Sequence, residues 1–116
     1  MDDVEIKNAK IESTMLGFED HGVFTCFIYL DYGGAGQGFG GYTLHTDHSD
    51  EREGVIKNYG TEFISRILKV VGVEKWEQLP GKHIRVKAEH NKIHAIGNIL
   101  KDDWFNPQDL VKKGGK

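Results

Sequence analysis

An α+β fold, with antiparallel β-hairpins forming a sheet packed on one main amphipathic helix, is predicted by two features of this 116-residue chain. Two pairs of segments alternate apolar and polar residues across short turn-rich connections, the pattern of half-buried antiparallel strands. One stretch, Val55, Tyr59, Phe63, Ile67 and Val71, repeats apolar residues every fourth position, with Ile56, Gly60, Ile64 and Leu68 beside them. That is the stripe of an amphipathic helix.

Val4 to Leu16 reads as the first strand, with Ile11, Ser13 and Met15 alternating with Glu12 and Thr14. Gly17 to Gly22 carries turn residues. Val23 to Asp31 is the second strand, with Phe24, Cys26, Ile28 and Leu30 on one face and Thr25, Phe27 and Tyr29 on the other. Pairing across the turn sets Met15 against Phe24 and Ile11 against Ile28. The face with Phe27 and Tyr29 is too apolar for water, so the helix or another subunit should cover it. Gly33 to Gly41 holds six glycines in nine residues, and a short strand-like Tyr42-Thr-Leu44 follows. Ser49 or Asp50 can cap the helix and Gly72 can end it in the left-handed conformation. Gly60, on the buried stripe, implies close backbone packing, because a mid-helix glycine costs ~1 kcal/mol against Ala. The last hairpin runs from Lys82 to Leu100 around a tight Glu89-His-Asn-Lys92 turn. Its register puts Ala88, Val86 and Ile84 opposite Ile93, Ala95 and Gly97. The reverse face then holds Lys87 opposite His94, Arg85 opposite Ile96 and His83 opposite Asn98. Residues 1–111 form one ligand-binding domain, and 112–116 a disordered Lys/Gly tail.

Hydrophobic residues are 38% and charged residues 28%, a globular composition, and no apolar run is long enough to span a bilayer. The acidic start Met1-Asp-Asp-Val-Glu5 is unlike a secretory signal, and one cysteine permits no internal disulfide. Both point to the cytoplasm. A net charge of −3 gives no field that would draw the protein to long nucleic acid, so an anionic ligand needs a local cationic cluster.

Gly36-Gln-Gly-Phe-Gly-Gly41 satisfies the G-x-G-x-x-G string. The dinucleotide fold needs a helix to begin at that motif, and here the helix waits about ten residues, so that fold is rejected. General physics remains: glycines let backbone N–H groups approach a phosphate, and Phe39 and Tyr42 could stack a base. The alternative is a plain connection between strands. On the ligand-binding reading, valine at Gly38 or Gly40 should block the ligand and leave the fold intact. Arg85, Lys87, His94 and Asn98 make the most basic face, with Arg85 suited to fork onto phosphate and Asn91 or Asn98 to read base or ribose; that face could equally be a solvated one. His45-x-x-His48 with Asp47 and Asp50 has no Cys partner and lies in helix-capping sequence, so no metal is expected. Cys26 reads as a buried structural thiol. No nucleophile, base and oxyanion hole assemble, so the protein is read as a binder without cofactor and not as an enzyme.

Five stretches together resemble a family of small phage proteins: Ile6-Lys-Asn-Ala-Lys-Ile-Glu-Ser-Thr-Met-Leu-Gly17, Gly36-Gln-Gly-Phe-Gly-Gly-Tyr42, Gly72-Val-Glu-Lys-Trp-Glu-Gln-Leu-Pro-Gly81, His94-Ala-Ile-Gly-Asn98 and Trp104-Phe-Asn-Pro107. The chain is identified as resembling the first Thoeris anti-defence family, over nearly its whole length. That resemblance implies a phage-encoded sponge acting in the host bacterial cytoplasm. Such a sponge sequesters cyclic ADP-ribose isomers, and in similar cases cyclic oligonucleotides, without cleaving them. It also implies homo-oligomers of dimers, assembling to a hexamer. The expected ligand contacts are Gly36, Gln37, Gly38, Phe39, Gly40, Gly41, Tyr42, Arg85, Asn91, His94 and Asn98. A protein-binding inhibitor of a bacterial defence complex, anti-CRISPR-like, is the alternative.

Overall fold

The longest strand organises the rest. In the computed structural model, which describes residues 4–45, 58–90 and 92–110, β1 (Glu5–Glu19) is shared between two partners. Its first half, from Glu5 to Lys10, pairs with β4 (His83–Glu89), and its second half, from Lys10 to Glu19, with β2 (Val23–Asp31). β3 (Gly36–Gly40) extends the sheet beyond β2, while β5 (Lys92–Gly97) and β6 (Trp104–Phe105) extend it beyond β4. All neighbours are antiparallel, in the order β3-β2-β1-β4-β5-β6, and one helix, α1 (Tyr59–Val71), packs on the sheet. The expected α+β architecture is the observed one. Among the described residues, no helix is long and apolar enough to cross a membrane.

The register of the first hairpin differs from the expected one. Ile11 faces Leu30, Met15 faces Phe27 and Phe18 faces Phe24. Two local features cause this. Gly17 stays inside β1, opposite Thr25, and the turn shrinks to Asp20–Gly22, where His21 (φ 59°) and Gly22 (φ 77°) are left-handed. The register also slips between Ile11 and Ser13, leaving Glu12 as an extra residue. Such a bulge bends and twists its strand. Before it, Ala9 and Ile11 face inward; after it, Thr14, Leu16 and Phe18 share the face of their partners Ile28, Cys26 and Phe24, with Leu16 and Phe18 exposed, and Ser13 and Met15 take the other face.

The bend lets the sheet curl, so that β3 comes up to β5 although three strands lie between them in the sheet order. The inner face is the core: Ile11, Cys26, Ile28, Ile84, Val86 and Ile96 are fully buried there. Cys26 is the buried thiol expected, and burial pushes it up to about 12 from an ordinary 9.0. α1 seals this core with Phe63 and Ile67. Phe63 meets Phe39 of β3 at 6.1 Å and Phe105 of β6 at 5.3 Å between ring centroids, tying together the two ends of the sheet.

The helix begins at Tyr59, after Asn58; Ser49, Asp50 and Val55 lie outside the described residues. It ends at Gly72 (φ 93°), whose N–H donates to the Leu68 carbonyl, as the glycine there predicts. Tyr42-Thr-Leu44 is not a separate strand but continues along β2, with Gly41 N–H donating to Cys26 O and Leu44 N–H to Phe24 O. Leu44 explains Gly60: a Cβ on Gly60 would run into the Leu44 carbonyl oxygen. Gly60→Ala should therefore destabilise the protein by about 1–3 kcal/mol, as overpacking does, despite Ala being ~1 kcal/mol the better helix former. Urea unfolding checks the sign, and a stabilised variant would place Leu44 elsewhere.

Candidate functional site

The glycine run is a strand, and its period is its main feature. Gly36, Gly38 and Gly40 alternate with Gln37 and Phe39, so three glycines share the outer face with Asp31, Tyr29 and Phe27 across the ladder. The hydrogen bonds of Gly41 N–H to Cys26 O and of Tyr32 N–H to Ala35 O set the phase of that ladder. Gln37 and Phe39 are then the hydrogen-bonded partners of Leu30 and Ile28. Gly36, Gly38 and Gly40 turn their N–H and C=O groups away from β2, along the sheet edge.

Phe39 cannot stack a ligand base. It lies on the inner face, 2% exposed, between Phe63 and Phe105. Tyr42 is half-buried against Phe63 at 5.5 Å, and its carbonyl accepts from the Thr25 hydroxyl. Gln37 accepts the Tyr32 hydroxyl at 2.8 Å, and burial pushes that phenol upward. Nor is the Gly33 N–H open to a phosphate, because the Asp31 carboxylate accepts it at 2.8 Å. A carboxylate occupies the place where the expected anion nest would hold its anion.

The basic face is rearranged as well. A second bulge follows Ala88–Ile93, so Lys87 faces Ala95, Val86 faces Ile96 and Arg85 faces Gly97. His94 becomes the extra residue instead of opposing Lys87. Its Nε2 lies 3.3 Å from Glu89 Oε2 without the alignment of a hydrogen bond. Arg85 is spent on the fold: Nε donates to Asn98 O and Nη2 to Lys101 O, both at 2.8 Å. Its guanidinium and the Lys87 ammonium lie 4.9 and 4.5 Å from the centre of the Trp104 ring, which covers Gly97. Asn98 is also committed. Its Nδ2 donates to Val70 O at the end of α1, and its Oδ1 accepts from the N–H groups of Leu100 and Lys101. Asn91 lies outside the described residues, as do Asp47, His48 and Asp50; His45 packs on Phe18 and Phe24. Among the described residues no group of three or more His, Cys, Asp or Glu could hold a metal ion.

The outer face of β1, β2 and β3 joins Phe27, Tyr29 and the β3 glycines to residues that the sequence did not single out, Glu12, Asp31, Lys10 and His83. Tyr29 is 44% exposed and meets Phe27 edge-on, with ring centroids 4.8 Å apart. Of the two coverings expected for these rings, the helix is excluded, because α1 lies on the other face. Tyr29 borders Gly38, where a Cβ would sit 3.6 Å from the ring. Glu12, thrown out by the bulge, joins Tyr29, Asp31, Gly34, Gly36 and Gly38 around an open hollow of about 530 Å³. That size lies within the ~300–1,000 Å³ of small-molecule sites. Lys10 stands across from Asp31, and His83 across from Lys10, both exposed. The missed signal was the spacing itself: glycine at every second position is a strand with one bare face.

Compared with known proteins, the chain matches no family model, no curated protein and no solved structure.

Proposed function

We propose that the protein captures a cyclic signalling nucleotide and holds it unchanged, on the outer face of β1, β2 and β3. The observation that carries this reading is an exposed aromatic ring, Tyr29, edge-on to the half-buried Phe27 and beside a strand face of bare glycine. A base can stack on the ring while sugar and phosphate run over backbone that no side chain obstructs. Lys10 and His83 are the cations nearest to it in the register, and they replace Arg85 as the phosphate partners of the proposal. The resemblance to the anti-defence sponges supplies the ligand class. The buried Cys26 thiol, pushed to about 12, offers no nucleophile at neutral pH, consistent with capture rather than chemistry. The element order gives fold-level support: a three-strand meander, a helix and a hairpin returning to β1. Small barrels of that kind bind oligonucleotides and oligosaccharides on the face of their second and third strands. Self-association is part of the proposal, since Ile6, Leu16 and Phe18 are exposed apolar side chains.

Calorimetry with cyclic ADP-ribose and cyclic dinucleotides tests the reading, followed by heat release and chromatography. The expected result is binding and recovery of intact ligand. Tyr29→Ala should weaken binding about tenfold or more, the ~1–3 kcal/mol of one base–aromatic stack, and leave the melting temperature unchanged. Recovery of a cleaved product, or equal binding by Tyr29→Ala, sinks the reading.

A further inference from the structure

The hollow beside Tyr29 contains a feature that a pure phosphate site would avoid. Two of its side chains, Glu12 and Asp31, are carboxylates, and among the described residues no cation lines it. One Asp31 oxygen accepts the Gly33 N–H, which orients the carboxylate. The ion pairs among the described residues use neither acid. Glu12 is held there by the β1 bulge, which places an extra side chain beside Tyr29. The cations lie one step along the same outer face, at Lys10 and His83. Donor-seeking groups therefore lie beside the aromatic ring, and anion-seeking groups lie next to them.

We infer that this hollow is a base-reading subsite that selects a nucleobase presenting adjacent N–H donors, guanine first, through Glu12 and Asp31. The inference rests on the nucleotide-binding reading above and adds base specificity to it. A carboxylate accepts two parallel N–H bonds, and the N1–H and 2-amino group of guanine offer two side by side. Uracil offers a single ring N–H between two carbonyl oxygens, which would face the carboxylates with like charge. A base stacked on Tyr29 lays its edge along the hollow, while its phosphate reaches toward Lys10 and His83. The hollow and its aromatic wall locate the subsite, and the carboxylates only set which base edge it accepts. A phosphate placed against Glu12 and Asp31 would be repelled, so the polarity of the bound nucleotide follows from the charges.

The test compares guanosine, inosine and uridine 3′,5′-cyclic monophosphates by calorimetry at one ionic strength. All three carry the same charge, and inosine differs from guanosine only by the missing 2-amino group. The expected order is guanosine over inosine by about tenfold, the worth of one hydrogen bond to a charged acceptor, with uridine weaker still. E12A should bring the guanosine-to-inosine ratio close to one and weaken inosine as well, since its N1–H loses the same acceptor. D31N, which keeps an acceptor for the Gly33 N–H, should do the same with an unchanged melting temperature. Equal binding of guanosine and inosine forms overturns the inference, as does a preference that survives both substitutions. Capture of cyclic ADP-ribose without guanosine 3′,5′-cyclic monophosphate also overturns it, and leaves the earlier reading standing. Capture of no cyclic nucleotide at all sinks both.

Discussion

Gly40→Val should fail to give a stable fold, whereas Gly38→Val should fold as the natural chain does and lose ligand. The two glycines sit two residues apart on one strand face, yet their surroundings differ. Gly40 has φ +117°, a region that L side chains rarely adopt. A Cβ there would lie 2.5 Å from the Cys26 carbonyl oxygen and 2.9 Å from the Phe27 Cα. Both neighbours are backbone of the central hairpin, so neither can swing aside. Strain at such a φ costs about 1–3 kcal/mol and overpacking about as much again. Together they approach the whole stability of a small domain, roughly 5–15 kcal/mol. Gly38 has ordinary φ, and its Cβ would meet the Tyr29 ring at 3.6 Å, which is normal contact. A valine there covers the aromatic wall instead of breaking the strand. Circular dichroism and urea unfolding of both variants decide the matter. Equal stability of the two would remove Gly40 from its place against Cys26. The expectation that Gly40 tolerates valine treats the run as a loop, and pairing of β3 with β2 speaks against it, whereas the expectation for Gly38 is kept.

The architecture was legible where periodicity speaks. The two hairpins, the helix with its Gly72 end and the burial of Cys26 follow from patterns of period 2 and 3.6, because burial of one face imposes those periods. The registers were not legible. Each bulge inserts one residue, Glu12 in β1 and His94 in β5, and an inserted residue exchanges every later side chain between faces. Lys87 thereby faces Ala95 and His94 drops out of the expected basic group, while Arg85, Lys87 and Asn98 stay together around Trp104. Composition also misleads about commitment. Arg85, Asn98 and Phe39 are types that serve ligands well, but each is engaged by partners far along the chain: Lys101 O, Val70 O and Phe105. Tyr29 and Glu12 acquire their place only from the ladder and its bulge.

Phe63→Ala should cost about 3–5 kcal/mol, the usual range for truncating a fully buried phenylalanine. Its position argues for the upper end. Phe63 is 0% exposed and contacts four other rings: Phe39 at 6.1 Å, Phe105 at 5.3 Å, Tyr42 at 5.5 Å and Tyr59 at 5.7 Å. Phe39 and Phe105 belong to opposite ends of the sheet, so this one side chain of α1 bridges the gap that the curled sheet leaves. The surrounding rings cannot collapse into the vacated space without moving β3 and β6 off their neighbours. Each well-placed aromatic pair adds about 0.5–1.5 kcal/mol beyond area burial, and four pairs lost together will not add independently. Phe18→Ala is the control, because Phe18 is 72% exposed and loses only surface ring contacts with Phe24 and His45, a cost of about 1 kcal/mol. Urea midpoints for the two variants should therefore separate widely, with similar m-values. A Phe63→Ala variant that also stops binding nucleotide would be read through its thermal stability, since Phe63 lies on the inner face, away from Tyr29. If Phe18→Ala and Phe63→Ala destabilised the chain equally, the core would not be the aromatic bridge between α1, β3 and β6.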